Sequence, residues 1–177
     1  MFSNTIPLYL INGFLEGGKT SFIQDVLTNG DFADGQKTLL ILCEEGEVEY
    51  DQSELTNLNI LSLTVDEEKD FNGEYLRNCI RKYRPKRIFV EMNGMWDCKW
   101  MFDSALPREV EIAQVITIVD GSTFQVYVNN MKGILSNLFT YTEMVIFNRC
   151  TEDMPLHSFR RAVRGVNPRA MVYFEDE

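Results

Sequence analysis

The sequence is poor in the residues that soft metals and disulfide frameworks need. There is one histidine, His157, and four cysteines, Cys43, Cys79, Cys98 and Cys150, lie far apart with no CxxC pair. That spacing excludes both a disulfide scaffold and an ordinary four-ligand zinc site, and leaves reduced thiols as the expectation. Positive charge is also scarce. Seventeen Lys and Arg against 27 Asp and Glu leave a net charge of −10, which argues against a nucleic-acid backbone or an anionic membrane as the main partner. No apolar run approaches the ~20 residues of a membrane span, and no basic region precedes an apolar stretch at the N-terminus. A cytoplasmic protein is expected.

What is present is the composition of a folded domain: 177 residues, 45% hydrophobic and 12% aromatic, enough for one core and one domain over residues 1–177. Short apolar runs at Leu8 to Ile11, Thr38 to Leu42, Asn59 to Leu63, Arg87 to Glu91, Ala113 to Val119, Met144 to Phe147 and Ala170 to Tyr173 read as strands. Several are continuously apolar, as strands covered on both faces must be. Between them, Thr20 to Thr28, Gly73 to Tyr83, Ser122 to Met131 and Leu156 to Val163 carry apolar residues at helical spacing. This alternation predicts an α/β fold with a mostly parallel central sheet of about seven strands and helices on both faces.

The first strand runs into Gly13-Phe14-Leu15-Glu16-Gly17-Gly18-Lys19-Thr20, a GxxxxGK[ST] string with Ser21 next and a helix pattern behind it. Each part has a physical role. The glycines let backbone N–H groups curl around a phosphate, and the helix start adds about half a positive charge. Lys19 reaches the β and γ phosphates, and the Thr20 hydroxyl ligates Mg²⁺. Glu16 is the odd member, because its carboxylate beside a triphosphate is repulsive unless it points outward. A P-loop also needs an acid at the end of a second buried strand. Glu91 ends the run Arg87-Ile88-Phe89-Val90-Glu91, and Gly94 follows three residues later, where its N–H could sense a γ-phosphate.

Charge is unevenly spread elsewhere. Glu44 to Glu54 holds six carboxylates in eleven residues, directly after a strand. Arg81, Lys82, Arg84, Lys86 and Arg87 form a basic run that reads as solubilising charge at a helix C-terminus. Asp97 and Asp120 stand near strand ends, and Asp120 is placed to cap the helix beginning near Ser122.

Taken together, the segments IPLYLINGFLEGGKTSF, CEEGEVEYD, FVEMNGMWD, VITIVDGSTF, MVIFNRCT and VNPRA resemble, in order and spacing, the nucleotide-binding domain of CobW-like GTPases, relatives of the HypB and UreG metallochaperones. The resemblance implies a three-layer P-loop NTPase fold and a Mg²⁺-dependent domain that binds GTP and GDP, hydrolyses GTP slowly, responds to nucleotide state and acts on a protein client, with a homodimer possible. It implies that Gly13, Glu16, Gly17, Gly18, Lys19, Thr20 and Ser21 line the nucleotide, with Lys19, Glu91 and Gly94 serving catalysis. It places Glu44, Glu47 and Asp51 in a switch-like ExGExxxD segment, with Thr20, Glu91, Glu47 and Asp51 around Mg²⁺.

Three departures stand out. The base-reading NKxD element is replaced by Asn148-Arg149-Cys150-Thr151; Asn148 and Arg149 keep the first two places, but a hydroxyl stands where the family has a carboxylate. The family's CxCC is missing, so any second metal site would be a weak one built from Cys43, Glu44 and Cys98, and no stoichiometric zinc is expected. The family's further C-terminal domain is not expected in this chain. Two rival readings remain: a degenerate nucleotide-binding scaffold that binds partners without turnover, and a small-molecule kinase, which also uses GxxxxGK[ST].

Overall fold

The computed structural model describes residues 5–44, 46 and 48–176. Seven strands run in chain order as β1 (Ile6–Asn12), β2 (Thr38–Leu42), β3 (Ile60–Thr64), β4 (Arg87–Glu91), β5 (Val110–Asp120), β6 (Met144–Cys150) and β7 (Met171–Asp176). The helices are α1 (Lys19–Asn29), α2 (Gln52–Asn57), α3 (Gly73–Tyr83), α4 (Lys99–Phe102), α5 (Gly121–Asn130), α6 (Lys132–Phe139) and α7 (Leu156–Val166). All strand pairings are parallel, in the order β3-β2-β4-β1-β5-β6-β7, so the expected three-layer parallel fold is the one observed.

Two-residue alternation along the strands sorts their side chains between the faces. Leu8, Leu10, Leu39, Ile41, Ile88 and Val90 pack with Leu76 and Cys79 of α3 and Met101 of α4. The intervening Ile11, Leu40, Phe89 and Ile118 pack with Ile23 and Leu27 of α1 and Leu55 of α2. Toward β7, Val119, Val145 and Phe147 meet Phe124, Leu138, Phe139 and Phe159 of α5, α6 and α7. Both faces are covered along β2 and β4, which is why their middles, Leu39-Leu40-Ile41 and Ile88-Phe89-Val90, are apolar without interruption.

Strand β1 lies between β4 and β5, so the chain leaves the sheet in opposite directions on its two sides. In open α/β sheets that point, at the carboxyl ends of the strands, forms a crevice for ligands. The Gly13–Thr20 loop sits there. One sequence expectation is corrected: Arg87 is not surface charge. It is buried, donating from Nε to Thr38 Oγ1 at 2.7 Å and from its two terminal nitrogens to Asp34 at 3.1 and 2.8 Å, with its plane over the Phe32 ring. It binds the α1–β2 connection to the start of β4.

Candidate functional site

Helix α1 begins with no side chain capping its first turn, whereas Asp51, Asn72 and Asp120 cap α2, α3 and α5. Its opening N–H groups thus point from the loop with the positive end of the helix dipole behind them, the arrangement that favours an anion. Gly18, at φ +96°, supplies the left-handed turn into the helix, and a Cβ there would stand 2.5 Å from Asn148 Nδ2.

Lys19 is 3% exposed and its ammonium has three acceptors: the Gly13 and Phe14 carbonyls, both at 2.7 Å, and Glu44 Oε2 at 2.5 Å. An ammonium has three N–H donors, so this set satisfies it completely. Glu44, predicted as a switch residue and a metal ligand, is placed as the counter-ion of Lys19. A phosphate oxygen approaching Nζ has to displace one of these three acceptors.

Beside Lys19, the Thr20 hydroxyl donates to Glu91 Oε1 at 2.6 Å. The strand-end acid and the loop hydroxyl, 71 residues apart in sequence, are thus in direct contact. Glu91 is 3% exposed, and burial raises its pKa; the hydrogen bonds from Thr20 and Tyr50 and the charge of Lys19 oppose that rise. Tyr50 was not foreseen. Its hydroxyl donates to Glu91 Oε2 at 2.5 Å. The only sequence signal was a lone aromatic residue within the acidic run Glu44 to Glu54.

Gly94 lies against the loop itself: a Cβ added to it would be 2.3 Å from the Gly13 carbonyl oxygen. Its lack of a side chain permits close approach of the segment after β4 to the phosphate loop. The carboxylate of Asp51 accepts from the Ser53 and Glu54 amides and the Ser53 hydroxyl, so it serves as the α2 cap and not as a partner of Thr20 and Glu91. Glu47 lies outside the described residues.

On the other side of the loop, Asn148 Nδ2 donates to the Gly17 carbonyl at 2.8 Å, and its buried Oδ1 has no hydrogen-bond partner among the described residues. Arg149, at φ +51°, reaches back over the loop to the Glu16 carbonyl at 3.1 Å and to the Asp120 carboxylate. Thr151 donates to Asp153 Oδ1 at 2.5 Å. Glu16 and Ser21 are exposed at the loop rim.

These groups enclose connected space. A cleft of about 210 Å³ is lined by Gly18, Lys19, Thr20, Glu44, Glu91 and Arg149. Next to it, a cleft of about 370 Å³ is lined by Gly18, Ser21, Asn148, Arg149 and Glu175. Gly18, Ser21 and Arg149 line both, so the two clefts share one wall.

The suggested second metal site does not form. Among the described residues no three His, Cys, Asp or Glu side chains are grouped to hold a metal ion. Glu44 is committed to Lys19, and burial raises the thiol pKa of Cys43 and pushes that of Cys98 up to about 11.

The family model described as CobW/HypB/UreG, nucleotide-binding domain, matches residues 7–174. A zinc chaperone CobW from Sinorhizobium is 30% identical over 146 residues, covering 66% of this chain and 37% of that protein, so the chain spans little more than a third of that relative's length. Among solved structures, the hydrogenase maturation factor HypB from Archaeoglobus fulgidus gives a TM-score of 0.64 at 12% identity, covering 98% of this chain and 82% of the other. HypB from Helicobacter pylori, in complex with nickel, gives 0.61 at 7% identity, covering 98% and 80%. At these identities the structural likeness is one of fold.

Proposed function

The chain belongs to the CobW/HypB/UreG family of nucleotide-binding domains, and from that membership and the site geometry we propose that it is a Mg²⁺-dependent guanine-nucleotide switch with slow GTP hydrolysis. The observation that carries this reading is the convergence of Lys19, Thr20 and Glu91 at the start of a helix that no side chain caps. The Thr20 hydroxyl and Glu91 carboxylate are hard oxygen donors in contact, a set that fits Mg²⁺ and would not select a soft metal. Thr20 and Glu91 would hold Mg²⁺, which would offset the charge of the phosphates.

The chain's own contribution is positioning and charge. Lys19, once released from Glu44, turns its ammonium to the phosphates. The uncapped α1 amides hold the same oxygens, and Gly94 brings the segment after β4 against the loop so that a water near its N–H is held in place. Asn148 and Arg149 frame the base. The partners of this reading are a guanine nucleotide, a protein client and, in one nucleotide state, a second copy of the chain, all in the cytoplasm. Thr151 in the base-reading element favours a second reading, a partner-binding scaffold that holds nucleotide without turnover.

Titration with GTP, GDP, ATP and ADP, with and without Mg²⁺, tests the proposal. Lys19→Ala should weaken nucleotide binding by roughly 1.5–3 kcal/mol, the worth of a charge-assisted contact. Thr20→Ala should reduce the Mg²⁺ dependence selectively. Unchanged affinity in both variants would sink the nucleotide reading; tight binding without release of phosphate would select the scaffold.

A further inference from the structure

Tyr50 belongs to neither the phosphate loop, the acidic strand nor the base-reading element. It lies between β2 and α2, one residue before the cap Asp51, on the stretch whose other end carries Glu44. It is 8% exposed, and its ring packs in the cluster that holds Ile23 and Leu27 of α1, Leu55 of α2 and Phe89 of β4. Its hydroxyl ends on Glu91 Oε2, while Thr20 takes Oε1. Each oxygen of one buried carboxylate therefore has its own hydroxyl donor, and the two donors come from different elements.

That division has a mechanical meaning. The terminal torsion of a glutamate is broad, so a carboxylate is oriented only by what grips it. Thr20 cannot be the permanent grip, because its hydroxyl is the group a P-loop turns to the cation. Tyr50 can, because its ring is buried in the cluster that α1, α2 and β4 share and its hydroxyl faces the oxygen that Thr20 does not use. We propose that Tyr50 is a positioning residue for the Mg²⁺ shell: it holds Glu91 by Oε2 so that Oε1 faces Thr20, and it ties the stretch between β2 and α2 to that pair. The same stretch also grips Lys19 through Glu44. Glu44 and Tyr50 thus meet the two groups that phosphate and cation engage. The proposal rests on the Mg²⁺–nucleotide reading above, and the test separates the two.

Tyr50→Phe keeps the ring and removes only the donor. GDP binding is measured over a series of Mg²⁺ concentrations and in excess chelator for the natural chain, Tyr50→Phe and Thr20→Ala, with melting of each nucleotide-free chain as the second measurement. Loss of an outer-shell partner typically costs 10- to 100-fold in metal affinity, so Tyr50→Phe should need about tenfold more Mg²⁺ for half of its effect. Its binding in chelator should match the natural chain. If Thr20→Ala shifts the Mg²⁺ requirement and Tyr50→Phe does not, the positioning role is overturned while the nucleotide reading stands. A lower melting temperature with an unshifted Mg²⁺ requirement would make Tyr50 a packing residue only, which also overturns it. A natural chain whose GDP binding ignores Mg²⁺ overturns both readings.

Discussion

At Thr151 a hydroxyl stands where the family's base-reading element has a carboxylate, and hydrogen-bond inventory shows what changes. A carboxylate accepts two N–H bonds from one purine edge; a hydroxyl has one proton and two lone pairs. Here the Thr151 proton goes to Asp153, whose pKa is lowered chiefly by that bond. Toward a base the hydroxyl then presents lone pairs only. It can accept one bond from guanine but cannot reproduce the paired contact, and the difference is on the order of 1–3 kcal/mol, about 5- to 150-fold. Thr151→Asp should therefore widen the preference for GTP over ATP by a factor in that range, measured as the ratio of dissociation constants. A natural chain that already discriminates by more than about 10⁴-fold, the level of sites that leave polar groups unpaired against the wrong ligand, would contradict this account.

Among the elements, those with a continuous apolar run or a strong period were legible: β2 and β4 coincide with their predicted bounds, as does α3, which opens on the Asn72 cap and ends in Arg81 and Lys82. The short helices were not. α2 buries only Leu55 and stands on the Asp51 cap, and α4 is four residues long, so neither has a period to detect. The site divides in the same way. Lys19 and Thr20 are fixed by a local string, whereas the Tyr50–Glu91 and Glu44–Lys19 contacts join residues far apart in sequence, which no local spacing encodes. Arg87 was misread for the same reason, since its partner Asp34 is 53 residues away. That pair carries a pH dependence. The hydrogen bond from Arg87, then the Gln36 amide, holds the Asp34 carboxyl below its ordinary 3.8. A lowered folded pKa adds stability above the unfolded value and loses it as pH falls through the folded one. Asp34→Asn should thus be less stable than the natural chain at neutral pH, with the gap narrowing as pH drops below 3.8. Urea unfolding at several pH values checks it; a gap that does not change with pH would show that Asp34 acts through shape alone.

At the scale of the whole molecule, the thiols and carboxylates bear on which metal the chain can hold. Thiolate, not thiol, binds a soft cation, and a tight zinc site gathers three or four N or S ligands. All four cysteines are buried, and burial raises the thiol pKa at Cys43, Cys79 and Cys98. At Cys43 the neighbouring Glu91 and Glu44 charges add to the rise, and at Cys98 Asp97 does. A net charge of −10 attracts cations of every kind but selects none. The oxygen donors that do converge, Thr20 and Glu91, suit a hard cation. Protein purified without added metal should therefore carry no stoichiometric zinc or cobalt, and its specific metal should be Mg²⁺ accompanying nucleotide. Elemental analysis decides the matter: a near-equimolar transition metal that disappears in Cys43→Ser or Cys98→Ser would mean that these thiols ionise and gather in solution, and would restore soft-metal delivery to the chain.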